Sequence, residues 1–192
     1  MPRMNVDGRE IEYEVKNGKS RKYIHIRMNE DVVDIFLPGG RKEWLYLVDK
    51  RDIGRVYDRH IEKKKLITDE GFYFCGKWVS SKETREIKED ILRTEANAYL
   101  CQSTDYFSGI MRLQPVGFRV VDNKTWGSCS SKGFISFNFR IACLASEMRD
   151  YLVIHEMAHL KHFNHSKSFW LEVEKFCPDF REIRKRLREY RF

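Results

Sequence analysis

No stretch of the 192 residues approaches the ~20 consecutive apolar residues that a membrane-spanning helix requires; the apolar runs are short, as in Tyr151 to Ile154. The start, Met1-Pro2-Arg3-Met4-Asn5-Val6-Asp7, turns polar before an apolar signal region forms. The five cysteines, Cys75, Cys101, Cys129, Cys143 and Cys177, are widely spaced, odd in number and without a C-x-x-C pair, which excludes a disulfide framework and a zinc ribbon. Internal repeats and low-complexity segments are also missing. These absences exclude an integral membrane protein and leave a cytoplasmic location with reduced thiols as the expectation.

What is present is charge. Charged residues make up 34% of the chain against 42% hydrophobic, and 36 Lys and Arg over 29 Asp and Glu leave a net charge of +7. That hydrophobic share is enough for a core, so a largely disordered chain is also excluded. The charge permits an anionic partner without requiring one.

Residues 10 to 37 alternate apolar and polar residues around Asn17-Gly18, and a third run, Val32 to Leu37, stops at Pro38-Gly39-Gly40. These signals predict a small antiparallel sheet built from hairpins. From Arg41 to Leu66 the pattern is helical, with Gly54 interrupting it. A strand is expected next, around Phe72-Tyr73-Phe74. A long helix carries Ile87, Ile91, Ala98, Tyr99, Ile110 and Leu113 and ends at Pro115 and Gly117. Strands are expected at Phe118 to Val121 and Phe134 to Ile141, and a helix from Ser146, its N-cap, to Phe163. Two further helices, from about Ser166 to Phe176 and Asp179 to Tyr190, complete an α+β fold. A β-rich part with one helix over 1–80 is expected to precede a core over 81–192.

The chemistry concentrates in His155-Glu156-x-x-His159. On a helix this spacing stacks two imidazoles on one face with about 6 Å of rise between them, so one zinc ion can take both. Glu156, one residue on, reaches a water in the open position rather than the metal, which is the place of a general base. Two imidazoles and a carboxylate in the apolar run Leu152 to Leu160 are costly as mere core residues, and a metal uses all three. For a third ligand the chain offers His162, His165, Glu172 and Glu174. His162 lies ~10.5 Å along a straight helix from His155, too far for one ion. His165, just past Asn164 where the chain can turn back, is favoured, and Glu172 on the following helix is the alternative. H-E-x-x-H-x5-H also matches the longer zincin motif, with His162 in place of its glycine.

Four ordered stretches resemble the YgjP-like metallopeptidase family: Trp126-Gly127-Ser128-Cys129-Ser130-Ser131; Ile135-Ser136-Phe137-Asn138; Tyr151-x-x-Ile154-His155-Glu156-x-x-His159-Leu160; and Asn164-His165-Ser166-x-x-Phe169-Trp170. They are more distantly similar to SprT-like proteases, whose cysteine-rich ribbon this chain lacks. The resemblance implies a zincin-like α+β domain with an antiparallel sheet and an HExxH helix, zinc on His155, His159 and His165, and Glu156 as general base.

The expected activity is hydrolysis of protein or peptide substrates through a zinc-bound water. Phe134 to Ile141 reads equally as an edge strand that pairs with an extended peptide and as a core member of the sheet. Cys129 reads first as an ordinary free thiol, the alternative being a thiolate in the open zinc position of a latent form, and Tyr151, Arg140 and Lys167 are candidates to stabilise an oxyanion. The alternative reading is a nucleic-acid-associated module with a structural zinc site, its basic faces supplied by Arg181 to Arg191 and Lys63-Lys64-Lys65.

Overall fold

A computed structural model describes residues 1–19, 21–29, 32–61 and 63–191. They form two compact units, Met1–Lys64 and Lys65–Phe192.

The first unit contains β1 (Arg3–Val6), β2 (Arg9–Gly18), β3 (His25–Asn29) and β4 (Val32–Pro38), a short 3-10 helix (Lys42–Leu47) and α1 (Lys50–Ile61). Alternation along β4 sends Val33, Ile35 and Leu37 into a core with Val6, Ile11 and Ile53. The sheet order is β1-β2-β4-β3, with β2 parallel to β4 and β3 antiparallel to it. The hairpin expected at Asn17-Gly18 therefore does not form, and the sheet is mixed. β4, with three fully buried apolar residues, takes the place between β2 and β3 and separates them. Alternation identifies which face of a strand is buried but carries no information about its neighbour.

The second unit begins at a two-residue strand, β5 (Lys64–Lys65), followed by the antiparallel strands β6 (Ile67–Thr68), β7 (Gly71–Phe74) and β8 (Lys77–Ser80). Leu66 and Phe72 belong to this unit's core, so residues 65–80 pack with the C-terminal part of the chain. Cys75 and Gly76 turn the β7–β8 hairpin with φ of 49° and 81°. Their N–H groups donate to the carbonyls of Ala142 and Cys143 at 2.9 and 3.0 Å. Glycine is required at 76, because a Cβ there would lie 2.8 Å from that of Ala145.

α2 (Arg85–Met111) starts at Thr84, whose side chain accepts from the Ile87 N–H. Its buried stripe is Lys88, Leu92, Ala96, Leu100, Phe107 and Met111. Ile87, Ile91 and Ile110, expected on the packed face, are exposed. A charged residue disguised the true stripe: Lys88 is 1% exposed, with Nζ donating to the carbonyls of Thr68 and Asp69 at 2.9 and 3.0 Å.

β9 (Gly117–Val121), β10 (Gly127–Cys129) and β11 (Phe134–Asn138) form a sheet of order β10-β11-β9. β11 is antiparallel to β10 and parallel to β9, so this sheet too is mixed. β11 occupies the centre and stops at Asn138, whose side chain caps a 3-10 helix (Phe139–Cys143) by accepting from the Arg140 N–H. Of the two readings of Phe134 to Ile141, it takes that of the core strand rather than the edge, because both of its sides are already hydrogen-bonded; β10 is an edge.

α3 (Ser146–Ala158), α4 (Lys167–Phe176), α5 (Phe180–Leu187) and a short β12 (Tyr190–Arg191) complete the unit. α3 contributes Leu152, Val153 and Met157 to a core shared with Phe137, Phe139 and Ile141, while α4 adds Phe169 and Val173. Among the described residues, no helix is long and apolar enough to cross a membrane.

Candidate metal centre

α3 ends earlier than its apolar pattern suggests, and that ending builds the site. The N-cap is Ala145 rather than Ser146, and His159 is the C-cap. Past it the last turn tightens, with Leu160 N–H donating to Met157 O at 3.0 Å and Lys161 N–H to Ala158 O at 3.2 Å. The tightened turn brings the His162 carbonyl within 3.0 Å of His159 Nδ1. A carbonyl only accepts, so Nδ1 carries the proton and Nε2 keeps its lone pair.

The chain then folds back through Asn164, whose side chain accepts from the Ser166 N–H at 3.2 Å. This return places His165 Nε2 3.1 Å from His155 Nε2. One ligand atom from each of His155, His159 and His165 lies within 4.8 Å of the others, a group that can hold a metal ion. Two nitrogens bound tetrahedrally at ~2.0–2.1 Å from zinc stand ~3.3 Å apart, close to the 3.1 Å seen here.

The rings are held by packing. Phe169, fully buried on α4, lies 4.9, 4.5 and 4.8 Å from the rings of His155, His159 and His165. Trp170 stacks on His165 at 5.5 Å and on Phe180 at 5.2 Å, with the Arg184 guanidinium 4.4 Å from its ring. Tyr151, one turn before His155, places its hydroxyl 3.2 Å from His155 Nδ1, so it supports an imidazole. Burial, then the neighbouring His159, His165 and Arg184, lowers the His155 pKa to about 3, which keeps that ring neutral.

Glu156, the residue after His155 on α3, is 5% exposed and packs against β10. Its Oε2 has no hydrogen-bond partner, and burial pushes its pKa up to about 8. The neighbour that makes room is Gly127 of β10: a Cβ there would stand 2.6 Å from Glu156 Oε1, 2.7 Å from Cγ and 2.8 Å from Cδ. In the sequence Gly127 stands inside a family motif with no task visible, since a glycine before serines reads as a turn.

The other candidates lie elsewhere. Glu172 accepts from Lys175 at 2.8 Å and Lys161 at 3.2 Å, and these ammonium groups lower its pKa. Glu174 pairs with Arg181 at 2.6 Å. Arg140 is committed to Asp122. The Cys129 thiol, pushed up by burial and then by Glu156, lies 3.5 Å from the Ser130 carbonyl. In the basic tail, Arg181 and Arg186 are paired, the latter with Glu147 at 2.9 Å.

The sequence pattern of the YgjP-like metallopeptidase domain matches residues 41–190. The chain belongs to the YgjP-like metallopeptidases. Membership makes it a peptidase acting on proteins or peptides with a metal ion, and zinc is the ion the family implies. A crystal structure of the metallopeptidase zymogen of Pyrococcus abyssi abylysin is similar at 30% identity, covering 46% of this chain and 90% of that one, with a TM-score of 0.43. Among curated proteins there is no match.

Proposed function

We propose that this YgjP-like metallopeptidase holds zinc on His155, His159 and His165 and hydrolyses peptide bonds with Glu156 as general base. The observation that carries this reading is the convergence of three imidazole nitrogens within 4.8 Å, with a buried carboxylate that has an unpartnered oxygen on the residue following the first of them. The donor set suits the ion: three neutral imidazoles with an open fourth position are a known catalytic zinc set. When bound, zinc polarises the scissile carbonyl and lowers the pKa of water toward ~7.

The residues supply the rest. The His162 carbonyl and Tyr151 orient His159 and His155 through their Nδ1 atoms, while Phe169 limits rotation of all three rings. Glu156 takes a proton from the attacking water at its carboxylate and returns it to the departing amine. Its burial strengthens it as a base, because the charged form gains little from solvent there, and a divalent ion held by the three histidines would favour its ionised form. The free edge of β10, beside Glu156 through Gly127, receives the extended peptide. A cytoplasmic location accords with five free cysteines.

Elemental mass spectrometry of the purified protein and of His165→Ala tests the centre. About one zinc per chain is expected in the first. The variant should bind zinc more weakly by more than the ~10- to 100-fold typical of losing a group behind a ligand. His165 is exposed, so circular dichroism should report an unchanged fold. Equal zinc in both proteins, or none in either, overturns the assignment.

A further inference from the structure

The β9–β11 sheet has a second face, turned away from Glu156. Along β10, Gly127 faces the Glu156 side chain, so alternation turns Ser128 to the opposite side. Register pairs Ser128 with Ser136 and Ser136 with Arg119, and the three residues form one row across the sheet. Arg119 Nε donates to Ser136 Oγ at 3.0 Å, leaning the guanidinium toward β10. The row lines a concave pocket together with Cys129, Ser130 and Phe134.

The donors in this pocket outnumber its charged acceptors completely. Ser130 Oγ accepts from the Phe134 N–H at 3.1 Å and Ser136 Oγ accepts from Arg119, so both hydroxyls keep a proton to donate. No carboxylate lines the pocket, and no ion pair engages Arg119 among the described residues. A planar guanidinium flanked by hydroxyl donors selects a carboxylate.

Position relates the pocket to the peptide. In a strand added to the free edge of β10, the residue opposite Gly127 presents its side chain on the Glu156 side, and the residue opposite Ser128 presents its own on the Ser136 and Arg119 side. These two are neighbours in the substrate. We propose that the Ser128, Ser136 and Arg119 row is a specificity pocket for an acidic side chain, one residue away from the position beside Glu156. This rests on the peptidase reading, with β10 as the strand that receives the peptide. Since Arg119 stands on β9, two strands beyond β10 and so three spacings of ~4.8 Å from the added strand, the longer glutamate is favoured over aspartate.

The test uses zinc-loaded protein and extended peptides that carry Glu, Gln or Lys at each position around the cleavage point. At one position, wild type should prefer Glu over Gln by about tenfold or more in kcat/KM, as expected for a charge-assisted hydrogen bond. In Arg119→Gln that preference should collapse toward unity, and in Arg119→Glu it should turn toward Lys. Arg119 is exposed, so both variants should melt as wild type does. If wild type cuts the peptides with no preference for Glu, or if Arg119→Gln keeps the preference, the pocket is overturned while the peptidase reading stands. If wild type cuts none of them, the peptidase reading falls and the pocket with it.

Discussion

Glu156→Gln is expected to lower turnover roughly 100- to 10,000-fold, the usual contribution of a positioned general base, while zinc content stays at the wild-type level. The substitution keeps the size and shape of the side chain but replaces the carboxylate with an amide, whose oxygen is too weak a base to take up the proton. None of the three imidazoles touches Glu156 through a hydrogen bond, so the metal should not notice the change. Stability should hold or rise, because a carboxyl buried at 5% exposure with an unpartnered oxygen is itself a cost to the fold. Paired measurements of cleavage of an unfolded protein and of zinc by elemental mass spectrometry separate the two roles. Cleavage at the wild-type rate would remove Glu156 from the mechanism.

Gly127→Ala should produce a loss of similar kind from the opposite side of the site. Its new methyl would arrive 2.6 to 2.8 Å from three atoms of Glu156, closer than carbon and oxygen approach without a bond. Either the carboxylate swings aside or β10 moves out, and each displaces one of the two groups that align base and peptide. An ångström-scale misplacement of this sort costs ~100-fold in rate. Overpacking of this size costs about 1–3 kcal/mol in stability, and His155, His159 and His165 remain to bind zinc. The decisive comparison is kcat against urea midpoint: a strong fall in kcat with zinc retained is expected, and full activity in Gly127→Ala would show that the close approach has no bearing on the reaction.

Much of the site was legible because it is local. His155 and His159 share a helix face through a four-residue spacing, and Glu156 sits beside the first of them by the same helical geometry. The return of His165 was readable from Asn164, a residue suited to leaving a helix. The family motifs then coincided with elements the structure places around α3. What escaped was the packing beneath: Phe169 under three imidazoles and Gly127 against Glu156. Each of those contacts joins elements distant along the chain, and neither aromatic nor glycine carries a local mark of its partner.

The same division runs through the fold. Lys88 on a buried stripe defeats any hydrophobic reading of α2, since what admits the charge is a pair of carbonyls some twenty residues upstream. The sequence reads Phe134 to Ile141 as a strand, of which Phe134–Asn138 forms one and the rest enters a 3-10 helix. Only the assembled sheet made it central, parallel to β9 on one side and antiparallel to β10 on the other, and so moved the open edge to Gly127–Cys129. By itself the sequence determined the candidate ligand residues, their helical spacing and the alternation of its strands, because these depend on neighbours within one or two turns of backbone. Strand order, direction and the open edge were decided by the tertiary structure, because hydrogen-bond partners between strands are chosen by which apolar faces can be buried together.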